Sequence, residues 1–257
     1  AAIRAALAAA DRREDNVRGG GVFSGGGEHE PGHQGVEGAA PTSWLGTGGL
    51  STDEPLWPAA GPVPLSPSRV ELARTCGLRW ALETVGGAAA STREQSLGTL
   101  VHAVAAALPR GSAQELQAMV DARWAELGLP EGWLDGQARR RARAMVTKLA
   151  AYLASAAEPV GLETSFTARV GRVELHGQVD RLERVGADPA GRPLLRVVDL
   201  KTGKNPVSGA DGARHPQLGV YQAAVAAGAF DELAPGARPA GASLVYVGTA
   251  TQNLATR

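Results

Sequence analysis

Residues 173–201 read VELHGQVDRLERVGADPAGRPLLRVVDLK, two largely aliphatic runs separated by a segment rich in glycine and proline. The runs at 173–183 and 194–200 have the composition of strands, and the segment GADPAGRP between them carries the residues that form turns. The stretch therefore predicts a β-hairpin at the centre of a sheet.

Two acidic residues and a lysine stand on this hairpin: Asp180 in the first run, and Asp199 and Lys201 at the end of the second. Residues i and i+2 of a strand share a face, so Asp199 and Lys201 project together. Carboxylates on neighbouring strands can bind Mg²⁺ where a phosphodiester docks, and a lysine beside them can assist the attacking water. The same spacing occurs on solvated strand edges, but the apolar residues before Asp199 favour the metal site, because an unpaired charge is costly there.

Apolar residues at helical spacing precede the hairpin, and further strand patterns surround it. The predicted helices cover residues 66–83, 94–108, 113–127, 135–156 and 215–227, and the further strands cover 162–170 and 242–248. Ser68 and Glu71 have the spacing of a capping box at the start of the first helix. The order predicts an α/β fold with a helical N-terminal part and a mixed sheet of about four strands flanked by helices.

Three side chains on the predicted helices are candidates to join the hairpin residues. His102 shares a helix face with small residues such as Gly98, which would let the helix approach the sheet closely; the alternative is a packing histidine. Gln217 and Tyr221 stand one turn apart after the hairpin, and from there both can reach toward a metal centre or a DNA backbone. Their alternative is an ordinary helix face.

Residues 16–64 contain clustered glycines and prolines without a sustained period, which predicts a linker or loops. The alanine-rich residues 1–11 have the pattern of the end of a helix. We therefore expect the end of an upstream region and a linker at 1–64, and a globular domain at 65–257 that is incomplete at its C-terminal end.

The composition excludes several classes of protein. Lysine plus arginine and aspartate plus glutamate both number 26, so affinity for DNA must come from a local surface. The single cysteine, Cys76, excludes an internal disulfide, and we expect it to be a buried small hydrophobe in a cytoplasmic protein. No apolar run of about 18 residues predicts a membrane span.

The order of five segments resembles the RecB-like nuclease domain of the PD-(D/E)xK superfamily. These segments are LSPSRVELARTCGLRW, GTLVHAV, LHGQVDRLE, VVDLKTGK and QLGVYQ. The resemblance implies three catalytic residues, Asp180, Asp199 and Lys201. The metal ligands that it implies are His102, both aspartates and the carbonyl of Leu200, and the residues for DNA binding or site support are Gln217 and Tyr221 of a QxxxY motif.

Within this family the chain is similar to the C-terminal nuclease domains of bacterial helicase–nucleases of the AdnB type, which process DNA double-strand breaks. That similarity implies Mg²⁺ or Mn²⁺ as the cofactor. The substrate that it implies is DNA in the form of single-stranded ends. It also implies an upstream helicase motor and a second helicase–nuclease subunit as partners, with no membrane. The chain has no G-x-x-x-x-G-K-[ST] motif, so ATP is expected only at that motor.

Several features of the resemblance are left open by the sequence. Some relatives carry four cysteines for an iron–sulfur cluster; only Cys76 occurs here, so no cluster is expected. Glu163 is a candidate for an acidic residue that the family places at the start of this sheet. The basic run Arg139, Arg140, Arg141 and Arg143 is interpreted as a solvated helix face, with contacts to DNA phosphates as the alternative.

Two other functions compete with the active nuclease module. The domain could be a catalytically inactive DNA-binding scaffold of a helicase complex, although the intact set of His102, Asp180, Asp199 and Lys201 counts against this. It could also be a stand-alone repair nuclease or an RNA-directed enzyme, both of which the upstream linker disfavours.

Overall fold

The structure is a computed structural model that describes residues 54–55, 57–86, 93–130, 132–251 and 254–257. The helix end predicted at 1–11 and most of the linker predicted at 16–64 lie outside these residues. The helices are α1 (Pro67–Thr75), α2 (Gly77–Thr84), α3 (Arg93–Ala107), α4 (Ala113–Ala122), α5 (Trp133–Leu153), α6 (Gly209–Gly212) and α7 (Pro216–Ala226). The strands are β1 (Val63–Leu65), β2 (Glu158–Val170), β3 (Val173–Ala187), β4 (Pro193–Lys201), β5 (Arg238–Tyr246) and β6 (Ala255–Thr256).

These strands form one mixed sheet, and the predicted hairpin is confirmed as the antiparallel pair β3–β4. The strand β2 is antiparallel to β3, while β5 runs parallel to β4. The sheet has six strands in the described ranges rather than about four, because the short strands β1 and β6 add to β3 and β5. A strand of two or three residues carries too little periodicity to be seen in the sequence.

Helices cover both faces of this sheet, as the α/β prediction requires. On one face α3, α4 and α5 pack against Val198 and Leu200 of β4 and against the end of β5. On the other face α7 packs against β2, β3 and the alternate residues Leu195 and Val197 of β4. The strand β4 is therefore buried on both sides, which explains its almost continuous aliphatic sequence.

The first predicted helix differs from the observed structure in three ways. It breaks at Cys76, whose backbone is extended, so that α1 and α2 replace one continuous helix. Cys76 is exposed, so its prediction as a buried hydrophobe was wrong. The capping box at Ser68 and Glu71 was also wrong: the N-cap is Ser66, because Pro67 is favoured in the first helical turn, where its missing N–H costs nothing.

The other predicted helices are confirmed with shifted ends. The helix predicted at 113–127 ends at Ala122 and continues as a 3₁₀ turn, Trp124–Leu127, that Gly128 closes in the left-handed conformation. The helix predicted at 135–156 is α5, Trp133–Leu153. None of the helices in the described part of the chain combines the length and apolar character that crossing a bilayer demands.

Candidate active site

The two hairpin aspartates occupy corresponding positions on neighbouring strands. The β3–β4 ladder begins at the pair Arg181 and Val198, so the next position on each strand is Asp180 and Asp199. Their side chains nevertheless enter two separate networks, one formed with α3 and one with α7.

The first network is a cluster of His102 from α3, Glu163 from β2 and Asp180 from β3. Nδ1 of His102 lies 3.1 Å from Oδ1 of Asp180 and 3.8 Å from Oε1 of Glu163. One ligand atom from each of the three residues lies within 4.8 Å of those from the other two. The structure thus brings together the predicted ligands His102 and Asp180, and adds Glu163.

Glu163 reaches this cluster through an unusual backbone conformation. Its φ is 43°, the only positive φ of a non-glycine residue in the described ranges. Leu162 pairs with Arg181 and Thr164 with Val179, so Glu163 stands opposite Asp180. A backbone in this region is costly for a residue other than glycine, and such strain is concentrated at functional sites.

Asp180 faces the α3 side because the alternation of β3 is interrupted next to it. Val179 and Leu182 both belong to the core on the α7 side, although they are three residues apart. Asp180 contacts His102, and the side chain of Arg181 donates to the carbonyls of Pro109 and Ala157, which follow α3 and α5. In a strictly alternating strand, the side chains of Asp180 and Arg181 would lie on opposite faces of the sheet.

The second oxygen of Asp180 is fixed by β4. The backbone N–H of Leu200 donates to Oδ2 of Asp180 at 2.6 Å. The main chain of Leu200 therefore lies beside the cluster, and the role of its carbonyl as a metal ligand stays a prediction.

The second network joins Asp199, Lys201, Gln217 and Tyr221. Nζ of Lys201 lies 2.8 Å from Oδ2 of Asp199 and donates to Oε1 of Gln217 at 2.9 Å. The amide nitrogen of Gln217 and the hydroxyl of Tyr221 both donate to Oδ1 of Asp199 at 2.8 Å. The predicted pair on α7 thus faces the hairpin and orients both the carboxylate of Asp199 and the ammonium of Lys201.

Burial and charge shift the pKa values of three of these groups. Burial alone would lower the pKa of His102, but its hydrogen bonds to Asp180 and Glu163 and their charges raise it to about 10. Burial raises the pKa of Asp199, the charge of Asp180 adds to this rise, and Lys201 opposes it. Burial and the charge of Asp199 also raise the pKa of Tyr221 well above its usual value, so its hydroxyl stays a hydrogen-bond donor.

These donors fit a divalent cation. Two carboxylates and an imidazole converge in the cluster, which are the ligand types for hard and borderline metals. Oδ2 of Asp199 is buried, and although it contacts the ammonium of Lys201, the angle is not that of a hydrogen bond. A nearby cation would offset the negative charge of this oxygen and counter the raised pKa of Asp199.

The small-residue face of α3 has the predicted close approach to the sheet. A Cβ atom at Gly98 would lie 2.8 Å from Oγ1 of Thr202, which directly follows Lys201. The absence of a side chain at Gly98 lets α3 lie close to the end of β4 without displacing the side chain of Thr202, and this helix carries His102.

The basic run on α5 is largely engaged within the protein. Arg139 bonds Asp135 and stacks on Trp124, and Arg143 bonds Asp121. Arg141 is half-buried and donates to the carbonyl of Thr202 at 3.2 Å. Its interpretation as part of a solvated face was therefore wrong, because Arg141 lies on the side of α5 that faces the sheet.

The sequence matches the family described as "PD-(D/E)XK nuclease superfamily" over residues 64–256. A search of curated proteins finds none that matches the chain. The family match runs from Pro64 in β1 to the end of β6.

Proposed function

Since the chain belongs to the PD-(D/E)XK nuclease superfamily, we propose that it is the DNA-cutting module of an ATP-dependent helicase–nuclease that processes double-strand break ends for recombination repair. Members of this superfamily are typically metal-dependent nucleases. The five sequence segments support a RecB-like nuclease domain, and the finer assignment to the AdnB type rests on the linker and on the segment LSTDEPLWP at residues 50–58. The second subunit and the upstream motor belong to the same proposal.

One observation carries the nuclease function: Asp180 of the His102–Glu163–Asp180 cluster and Asp199 of the Lys201–Asp199 pair occupy corresponding positions on the neighbouring strands of the β3–β4 hairpin. His102, Glu163 and Asp180 would hold the metal, with Asp199 beside them. A divalent cation there supplies positive charge for a phosphodiester and lowers the pKa of a water molecule.

Lys201 has the geometry of a group that acts on the reacting phosphate. Its ammonium donates one hydrogen to Gln217 and lies against the carboxylate of Asp199, and its side chain is 30% exposed. An ammonium carries three hydrogens, so a further one can be donated to a phosphate oxygen or to the incoming water. Gln217 and Tyr221 keep the ammonium and the carboxylate in place without touching the substrate.

The test is a cleavage assay of the complete protein on end-labelled single-stranded and double-stranded DNA, with Mg²⁺, Mn²⁺ or a chelator, and with or without ATP. We expect cleavage of single strands only in the presence of a divalent metal. The matched control is Asp180→Asn, which removes one negative charge from the cluster with little change of shape.

The same assay separates the competing functions. A scaffold binds DNA in a gel-shift experiment but cuts none of the substrates with any metal. A stand-alone repair nuclease cuts duplex ends at a rate that ATP and a helicase partner do not change. Cleavage by the wild-type protein that persists in excess chelator would rule out the metal-dependent mechanism.

A further inference from the structure

The helix α5 carries two basic residues, Arg141 and Lys148, that are turned toward the sheet. They are seven residues apart, which places them on one side of the helix. Lys148 is buried, with only 8% of its surface exposed, and Arg141 is half-buried. Among the described residues neither forms an ion pair, whereas their neighbours Arg139 and Arg143 do. The positive charges of Arg141 and Lys148 therefore do not neutralise a carboxylate among the described residues.

Both residues donate to backbone carbonyls that follow the parallel strands β4 and β5. Nη2 of Arg141 lies 3.2 Å from the carbonyl oxygen of Thr202, just after Lys201. Nζ of Lys148 lies 2.5 Å from the carbonyl oxygen of Thr249 and 2.8 Å from its Oγ1. Parallel strands end at the same edge of a sheet, so the two cations fix adjoining loops.

These two loops are in close contact. A Cβ atom at Gly248 would lie only 1.9 Å from the carbonyl oxygen of Thr202. The backbone N–H groups of Val247 and Gly248 donate to the carbonyl of Lys201 at 3.0 and 3.3 Å. The peptide that follows Lys201 is thus held by β5 on one side and by Arg141 on the other.

We infer that Arg141 is a positioning residue for Lys201, and that Lys148 braces the adjoining loop; this inference rests on the proposed nuclease function. The ammonium of Lys201 stands at the end of a flexible chain, so its position depends on the backbone that carries it. Arg141 fixes that backbone at Thr202, which also contacts Gly98 of α3, the helix of His102. Displacement of a reacting group by about 1 Å can cost on the order of a hundredfold in rate.

Burial distinguishes this role from a direct contact with DNA. Nε of Arg141 is shielded from solvent and has no hydrogen-bond partner among the described residues. A phosphate therefore cannot reach Nε, and Nη2 is already engaged by the carbonyl of Thr202. Arg140, the preceding residue on the same helix, is exposed and serves as a matched control.

The experiment compares the wild-type protein with Arg141→Gln and Arg140→Gln. It measures kcat and KM for metal-dependent cleavage of a labelled single-stranded oligonucleotide, and DNA affinity as a function of salt. For Arg141→Gln we expect kcat to fall on the order of tenfold to a hundredfold, with KM and the salt dependence unchanged. We also expect faster amide exchange at Val247 and Gly248, while Arg140→Gln leaves kcat and exchange unchanged.

Other outcomes overturn the inference. A raised KM, with a salt dependence reduced by about one phosphate contact, would show that Arg141 binds DNA directly. An unchanged kcat would show that it has no positioning role. Should Arg141→Gln fail to fold, Arg141→Lys takes its place, since the shorter lysine keeps the charge but falls short of the carbonyl; a wild-type kcat in that variant overturns the inference. Absence of cleavage by the wild-type protein contradicts the proposed function instead.

Discussion

Lys201 is the residue whose loss most directly tests the proposed chemistry. We expect Lys201→Ala to bind metal and DNA as the wild type does but to cut on the order of a hundredfold more slowly, because a contact made mainly in the transition state affects rate rather than binding. Single-turnover cleavage at saturating metal measures the rate, and a gel shift measures the binding. A variant that cuts at nearly the wild-type rate would remove Lys201 from the mechanism.

The protonated imidazole of His102 predicts a pH dependence of metal binding. Its pKa of about 10 lies above the ordinary value of 6.5, so the ring carries a proton at neutral pH that a metal must displace. Metal affinity should therefore rise about tenfold per pH unit through the neutral range and level off near pH 10. Calorimetry with Mn²⁺ in buffers of different ionisation enthalpy counts the released proton.

The raised pKa of His102 also affects the stability of the metal-free protein, which should fall as the pH rises, whereas metal affinity should increase. Since the pKa of His102 is raised on folding, its stabilising contribution is complete below pH 6.5 and is lost as the pH rises through about 10. In His102→Ala the contribution of residue 102 to the pH dependence of metal affinity and to the pH dependence of stability should disappear. A metal affinity of the wild type that does not change between pH 6 and pH 8 would contradict the assignment of His102 as a ligand.

Among the secondary-structure elements, the strands β3 and β4 are tied to α5 by a buried charge network. Glu183 is fully buried and accepts hydrogen bonds from Tyr152, Arg181 and Arg196. Glu183→Gln should lower the free energy of unfolding by about 3–5 kcal/mol, because the buried Arg181 and the half-buried Arg196 lose their counter-charge. Urea denaturation measures this loss.

An exposed ion pair on α2 provides the comparison for that network. Arg79 and Glu83 are 2.7 Å apart, but the side chain of Arg79 is 69% exposed. Glu83→Gln should therefore change the free energy of unfolding by only about 0.5 kcal/mol. Equal effects of the two substitutions would show that the buried network has no special part in stability.

The close contact between the ends of β4 and β5 is a second feature of the elements that can be tested. In Gly248→Ala the new methyl group meets the carbonyl of Thr202, so one of the loops must move. We expect a loss of about 3 kcal/mol in the free energy of unfolding, at the upper end for overpacking. The matched control is Gly203→Ala, because a Cβ atom at Gly203 meets nothing within 4 Å.

For the whole molecule, the proposed division of labour separates DNA cutting from ATP hydrolysis. In a helicase–nuclease that contains this chain, Asp199→Ala should abolish DNA cleavage and leave ATPase and unwinding rates nearly unchanged. The reason is that the chain holds Asp199 within its own sheet and has no phosphate-binding loop motif. Parallel loss of ATPase activity would instead indicate a structural role for Asp199 in the assembly.

Local sequence alone determined the elements and the residues of the hairpin. Strand periodicity and turn residues predicted β3 and β4, and the i, i+2 rule correctly placed Asp199 and Lys201 on one face. Helical spacing likewise placed Gln217 and Tyr221 on one side of α7. These features depend on neighbours within a few residues, so the sequence expresses them directly.

Only the tertiary structure decided which distant residues meet. Glu163 joins His102 and Asp180 because β2 pairs with β3 and because its backbone adopts a positive φ, which no local pattern announces. Arg141 reaches Thr202 because α5 packs across the end of β4, although its own sequence is that of a charged helix face. Contacts between residues far apart in the chain depend on strand register and helix packing, and these are settled by the packing of the whole core rather than by any single segment.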